Sequence, residues 1–220
     1  MADYIFEIKG LVDAALTELS EQHKSGKLVD APVANNHFLV RWVTKSLKTQ
    51  RFSSDVFSDL SRWQKMGRSK GKDAAINFTF RKISQLYGEF FPDNTEVKQI
   101  LDSQIERFLD DMETAGWEVS TSEVLTSGGK VQLYTEGQNS LALCSEQCDV
   151  CFDGELLVKP MSWFIRGNHQ EFIEKAYQAG FLVHKVTDYK SAVKYHGEYV
   201  VFPANKGDRL AEIPLSVNGQ

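Results

Sequence analysis

Apolar residues in the first half of the chain recur at helical spacing. Between Tyr4 and Lys24 they fall at intervals of three and four residues, which is the pattern of an amphipathic helix. Ser25-Gly26 then ends this helix, because glycine readily adopts the left-handed conformation found at helix C-termini. The same spacing predicts four further helices, over about 35–48, from a cap at Ser53 or Ser54 to Met66, over about 74–90, and from about 97 to 115.

Local residue chemistry sets the limits of these helices. The run Gly67–Lys72 reads GRSKGK, and its two glycines predict a loop. Asp93–Glu96 reads DNTE, which supplies a cap and an acidic first turn to the fifth helix. Trp42 and Trp63 fall on the apolar stripes of their helices, so we expect both rings in the core.

After Gly116 the period of the apolar residues changes from about 3.6 to two. Strands are predicted at Trp117–Thr121, Val131–Thr135 and Ser140–Cys144, and a hairpin turn at Asp153-Gly154. One helix is predicted at about 168–179. Further strands are expected at Phe181–Val186, Val193–Tyr195 and Glu198–Phe202.

The order of these elements predicts an α+β fold, because a run of helices is followed by a run of strands. We expect a helical N-terminal half, residues 1–116, packed against or joined to a second domain, residues 117–220. The second domain is predicted to hold a mixed, mainly antiparallel sheet with one inserted helix.

The composition is that of an ordinary globular protein, with 42% hydrophobic and 25% charged residues among 220. No apolar run approaches the roughly 20 residues that a membrane-spanning helix needs. The N-terminal MADYIFEIKG lacks the basic and apolar segments of a secretory signal, so we expect a cytoplasmic protein with no membrane association.

The charge is distributed unevenly along the chain. Residues 41–82 contain eleven Lys or Arg and three Asp or Glu, a balance of +8, whereas the whole chain carries –5. The remaining residues therefore carry –13. Such asymmetry indicates a charged partner rather than a particular fold.

The basic segment lies on two predicted helices and the run that follows them, in the coarse outline of a helix-turn-helix. It predicts contact with the phosphates of a nucleic acid or, alternatively, with an acidic protein. A solvated basic face with no partner is the third interpretation. The candidate binding residues are Arg41, Lys45, Lys48, Arg51, Arg62, Lys65, Arg68, Lys70 and Lys72.

All three cysteines lie in one stretch, CSEQCDVC, at Cys144, Cys148 and Cys151. Their spacing matches the radical-SAM cluster motif, but only 69 residues follow Cys151, too few for the barrel that carries such a cluster. A structural zinc site would add His169 as the fourth ligand. The simplest interpretation, which we favour, is that the three cysteines are small buried residues that hold no cofactor.

No catalytic motif is evident, so the sequence leaves enzymatic activity uncertain. Asp188-Tyr-Lys190 has the D-x-K form of metal-dependent nucleases, but the upstream acid on a paired strand is not identifiable. Asn168 and His169 begin a predicted helix beside Arg166, where an anion could bind, although a plain N-cap explains the same residues.

Several segments together resemble one bacterial family, catalogued as domain of unknown function 2913. They read LVRWVTKSLKTQRF, SRWQKMGRSKG, CSEQCDVCFDGELLVKPMSWFIRGNH and GFLVHKVTDYKSAVKYHGEYVVFP. The resemblance spans nearly the whole chain and implies a bacterial, cytoplasmic protein, with no activity or site residue to transfer. We therefore expect a non-enzymatic accessory or regulatory protein.

Overall fold

A computed structural model of the protein describes residues 3–92, 98–126 and 129–219, without the side chain of Lys72. About half of the chain is helical, and five strands form a mixed sheet. The predicted α+β class, with a helical N-terminal half and a mainly antiparallel sheet, is confirmed.

The chain divides into two compact units, Met1–Thr95 with Val217–Gln220, and Glu96–Ser216. In the first unit, Gly219 donates its backbone N–H to Gln85 Oε1 at 2.9 Å. The sequence placed the boundary near Gly116 instead. The difference concerns the fifth helix, whose apolar side chains lie in the core of the second unit.

Four helices form the first unit: α1 (Tyr4–Lys24), α2 (Pro32–Lys48), α3 (Phe57–Lys70) and α4 (Ile76–Phe90). A short 3₁₀ turn, Ser54–Val56, precedes α3, and the Ser53 side chain caps it by accepting from Asp55 N. Trp42 and Trp63 are both buried, as their stripes predict.

The predicted loop at Gly67–Lys72 is wrong, because α3 continues to Lys70. Gly67 is buried inside the helix, and a Cβ added there would collide with the Val40 side chain of α2. Glycine is present because two helices approach each other closely, not because the backbone turns. The second glycine, Gly71, is where α3 ends, at a φ of 54°.

The second unit begins with α5 (Asp102–Thr114). The cap predicted at Asp93–Glu96 lies outside the described residues, and the described helix begins later than the apolar spacing indicates. At its start, Gln104 Oε1 accepts a hydrogen bond from the backbone N–H of Leu101 at 2.9 Å.

The sheet of the second unit is built from five strands: β1 (Glu118–Ser120), β2 (Ser140–Leu143), β5 (Met161–Arg166), β6 (Val183–Thr187) and β7 (Gly197–Val201). Their order across the sheet is β1-β2-β5-β7-β6. β1 and β2 pair in parallel, and the other neighbours pair antiparallel.

A two-residue hairpin precedes β5. It joins β3 (Phe152–Asp153) to β4 (Leu156–Leu157), with Gly154 at a φ of 57°. The turn predicted from Asp153-Gly154 is therefore confirmed.

Both faces of the sheet are covered. One face carries α5 and α7 (His169–Gln178), with Phe108 of α5 stacked on Trp163 at 5.1 Å between ring centroids. The other face carries a smaller apolar cluster, to which irregular segments contribute Leu125, Val131 and Val193. The inserted helix predicted at 168–179 is α7.

Three predicted elements of the second unit differ in the structure. The strand expected at Val193–Tyr195 is a bridge at Val193 followed by a turn at Lys194 and Tyr195. Val131–Thr135 has the predicted alternation of inward and outward side chains, but its one pairing within the described ranges is the parallel bridge between Val131 and Val193. The cysteine stretch, which lies between the strand predicted to end at Cys144 and the turn predicted at Asp153-Gly154, contains the six-residue helix α6 (Ser145–Val150). Side-chain alternation indicates which side is buried, but it does not supply a neighbouring strand.

In the described part of the chain, no helix combines the length and apolar character that crossing a bilayer requires.

Candidate nucleic-acid interface

The basic residues of the first unit are carried by the hairpin of α2 and α3. Three contacts run along the pair: the Asn36 side chain donates to Gly71 O, Val40 lies against Gly67, and Gln64 Nε2 donates to Thr44 Oγ1 at 3.0 Å. Positions increase along α2 as they decrease along α3, so the helices are antiparallel. This arrangement differs from a helix-turn-helix, whose helices cross at about 90–120°.

The central contact fixes where the nearby basic side chains point. Arg41 follows Val40 and Arg68 follows Gly67, so each arginine lies about 100° round its helix from the contact. Because the helices are antiparallel, the same rotation takes both arginines to the same side of the hairpin. Leu39 precedes Val40 and is buried, so this shared side faces away from the core.

Helical spacing adds three lysines to this side. Lys45 and Lys48 follow Arg41 by four and seven residues, and Lys65 precedes Arg68 by three. All five side chains are exposed. We define the basic surface as Arg41, Lys45, Lys48, Lys65 and Arg68.

The basic surface has no acidic neighbour on its own helices. α2 contains no Asp or Glu, and the one acid of α3 is Asp59, which is buried. Among the residues that the structure describes, none of the five basic side chains forms an ion pair. Their charge is therefore directed to solvent.

Two of the predicted binding residues have structural partners instead. Arg51 donates to Glu18 Oε1 at 2.6 Å and lies 5.2 Å from the centroid of the Trp42 ring. Arg62 donates to Asp59 Oδ1 at 2.8 Å. Lys70 is exposed at the end of α3, and the side chain of Lys72 lies outside what the structure describes.

Asp59 is held in place by two donors. Besides Arg62, the Tyr4 hydroxyl donates to Asp59 Oδ2 at 2.7 Å. Burial and the Asp59 charge raise the pKa of Tyr4, so the phenol keeps the proton that it donates. This arrangement ties α3 to α1 through one buried carboxylate.

The three cysteines lie around α6 in the second unit. Cys144 precedes the helix and is buried, and its sulfur accepts from Leu125 N and contacts Thr126 Oγ1, each at 3.3 Å. Cys148 is half-buried, and Cys151 is buried at the end of the helix. Although burial opposes it, these hydrogen bonds lower the pKa of Cys144, whereas burial raises the pKa of Cys148 and of Cys151.

The proposed fourth zinc ligand, His169, has a different partner. His169 lies at the start of α7, and its Nδ1 is 2.7 Å from the hydroxyl of Tyr199 in β7. Within residues 3–92, 98–126 and 129–219, no three His, Cys, Asp or Glu side chains are grouped to hold a metal ion. Zinc binding by Cys144, Cys148, Cys151 and His169 stays a prediction to be tested by elemental analysis.

The residues around the start of α7 are used structurally. Asn168 Oδ1 accepts from Glu171 N at 3.1 Å, which is the plain N-cap, and Arg166 donates to Gly137 O.

The D-x-K sequence lies after β6. Its carboxylate, Asp188, accepts from Lys185 Nζ at 3.0 Å. None of these contacts assembles a nuclease site.

A polar group joins β6, β7 and α7, and the sequence singled out only two of its members, His169 and Asp188, each for a different site. Lys185 lies beside the buried Tyr199, which contacts His169, while Asp188 and Glu212 lie beside Lys185. Burial raises the pKa of Tyr199 to about 12 and lowers that of His169. No local motif marks this group, because its members are brought together only by strand pairing.

The comparisons with known proteins identify a family without a described activity. No curated protein and no solved structure matches the chain significantly. Residues 3–214 match the family described as Protein of unknown function (DUF2913). Since this match covers nearly the whole sequence, the chain belongs to the DUF2913 family.

Proposed function

We propose that this protein is a bacterial, cytoplasmic accessory or regulatory protein that contacts nucleic acid through the basic surface of α2 and α3. One observation carries the proposal: five exposed and unpaired basic side chains share one side of a helical hairpin that presents no acid there. Polyanions bind such surfaces by displacing counterions from their phosphates.

The character of the surface favours a nucleic acid over an acidic protein. Protein interfaces usually bury apolar or aromatic side chains at their centre. In the described part of α2 and α3, the one exposed large apolar side chain is Val33 at the start of α2, eight residues before Arg41. A surface of charge alone suits a phosphate backbone, which offers charge without an apolar patch.

The expected contact is with the backbone rather than with bases. Trp42 and Trp63 are buried and cannot stack on nucleobases. Phosphate contacts carry no direct sequence information. We therefore expect weak sequence preference and binding to duplexes as well as to single strands.

Charge reversal at two residues tests the proposal. The double variant Lys65→Glu/Arg68→Glu should weaken binding of a fluorescent 20-base-pair duplex by at least about tenfold at low salt, as measured by anisotropy. The matched control, Lys24→Glu/Lys27→Glu, makes the same charge change at exposed residues beyond the basic surface and should have a much smaller effect. Equal losses in both variants, or no duplex binding by the wild type, would contradict the proposal. In the second case, an acidic partner protein becomes the better candidate.

A further inference from the structure

We propose that the second unit carries a separate surface for single-stranded nucleic acid, built from exposed tyrosines and lysines. It does not depend on the basic surface, because it lies in the other unit and would bind by a different contact. We define the tyrosine surface as Tyr134, Tyr189, Tyr195, Lys130, Lys190 and Lys194.

The tyrosines are unusually exposed for aromatic side chains. Tyr134, Tyr189 and Tyr195 are 82%, 70% and 68% exposed. In the described part of the second unit, no other aromatic side chain is exposed to this degree. Grouped exposed aromatic rings mark contact surfaces more often than single exposed residues do.

Two neighbouring segments bring the tyrosines together. Val131 and Val193 form a parallel bridge, with Val131 N donating to Ala192 O and Lys194 N to Val131 O, each at 2.9 Å. Both valines face the apolar cluster beneath. Tyr134, three residues after Val131, lies on the opposite side of its segment from that valine, and Tyr195 is turned outward by the turn that follows Val193.

The third tyrosine, Tyr189, lies with Tyr195 in the segment that connects β6 to β7. A Cβ added at Gly197 would lie 2.7 Å from Asp188 O, so the residues around 188 and 197 are close together. Tyr189 directly follows Asp188, and Tyr195 lies two residues before Gly197. The Tyr189 ring also lies edge-on to His169, at 6.0 Å between centroids.

The backbone at Tyr195 indicates that packing does not explain its side chain. Its φ is 63°, in the left-handed region where glycine and asparagine are favoured and bulky residues are rare. Within the described ranges, its ring forms no aromatic contact and its hydroxyl no hydrogen bond. An aromatic residue in a strained and exposed position is accounted for by an external contact.

Lysines lie beside the tyrosines along the chain. Lys190 follows Tyr189, Lys194 precedes Tyr195, and Lys130 lies four residues before Tyr134; all three are exposed. The nearby Asp188 forms an ion pair with Lys185, and no described residue forms an ion pair with the three lysines. Rings for bases beside charges for phosphates are the arrangement of single-strand binding platforms.

The test compares loss of the rings with loss of the hydroxyls. Anisotropy of a labelled 20-nucleotide oligo(dT) is measured at low salt with the full-length protein. Tyr134→Ala/Tyr195→Ala should weaken binding by at least about tenfold, because stacking is lost, while Tyr134→Phe/Tyr195→Phe should stay within about twofold. Leu215→Ala, an equally exposed truncation in the same unit, is the control.

Two further readouts keep this inference separate from the proposed function. The alanine pair should leave duplex binding unchanged, and Lys65→Glu/Arg68→Glu should weaken duplex binding more than oligo(dT) binding. Tyr195→Gly should raise the urea midpoint by relieving the positive φ, yet weaken oligo(dT) binding. Oligo(dT) binding that is absent in the wild type, unaffected by the alanine pair, or lost equally in the phenylalanine pair would overturn the inference.

Discussion

Gly67 is the residue on which the close approach of α2 and α3 depends. A Cβ there would meet the Val40 side chain, and Ile76 Cδ1 at 3.0 Å. Since Val40 is β-branched and cannot easily turn aside, Gly67→Ala should destabilise the protein by about 1–3 kcal/mol. Urea unfolding measures this change.

A second glycine provides the control for that substitution. Gly88 lies inside α4 with no atom within 4 Å of an added Cβ, so Gly88→Ala should be neutral or stabilise by up to about 1 kcal/mol. Adding Val40→Ala to Gly67→Ala should recover part of the lost stability. If Gly67→Ala behaves like Gly88→Ala, the close contact between α2 and α3 is wrong.

His184 makes the stability of the protein sensitive to acid. It is fully buried, its Nδ1 donates to Arg209 O at 2.8 Å, and its Nε2 has no partner in the described structure. Burial lowers its pKa to about 4, so the folded protein holds it neutral, while the unfolded chain protonates it below about 6.5. Stability should therefore fall as the pH drops from about 6.5 to about 4, by up to about 3 kcal/mol from this group.

His184→Asn isolates this effect, because its amide can still donate to Arg209 O but takes up no proton. Urea unfolding between pH 4.5 and 7.5 should show a smaller loss of stability with acid for the variant than for the wild type. His169 and His196, whose pKa values burial also lowers, contribute to the slope of both proteins. Parallel slopes for the two proteins would show that His184 is not held neutral by the fold.

Among the elements, α5 is the one whose place the sequence and the structure assign differently. Its Phe108 stacks on Trp163 and meets Phe172 and Phe181 edge-on, all within the core of the second unit. Phe108→Ala should therefore cost about 3–5 kcal/mol of stability. Phe78→Ala, at a half-exposed aromatic residue of α4, should cost far less. A cost below about 1 kcal/mol for Phe108→Ala would place α5 outside this core.

Most helices could be predicted because their apolar stripes and caps are local. α1 begins at Tyr4 and ends at Lys24 as predicted, with Ser25 and Gly26 after it. Gly67 was predicted to lie in a loop because the sequence alone does not distinguish a glycine that permits a turn from one that permits close approach of a neighbouring helix. The sequence could not assign α5 to a unit, because an amphipathic stripe predicts that one face of a helix is buried but not which elements bury it.

The candidate site was predictable in composition but not in arrangement. All five members of the basic surface were among the nine predicted residues. The sequence could not separate them from Arg51 and Arg62, because Glu18 and the buried Asp59 are brought to those arginines by tertiary packing. The outward tyrosines were missed because the sequence predicted strands at Val131–Thr135 and Val193–Tyr195, whereas Tyr195 lies in a turn with a φ of 63°.

At the scale of the whole molecule, the protein combines a net negative charge with one surface of concentrated positive charge. The –5 of the chain would repel a polyanion at long range, so binding must depend on the local charge of α2 and α3. Screening by salt should weaken that local attraction steeply. Duplex binding by the basic surface should therefore be driven by the release of counterions from the phosphates.

The most direct measurement is the salt dependence of duplex binding between about 50 and 300 mM KCl. Five phosphate contacts predict a slope of log K against log salt of about –4.5, and Lys65→Ala/Arg68→Ala should make it less steep by about 2. A wild-type slope near zero, or the same slope in both proteins, would contradict phosphate binding by the basic surface.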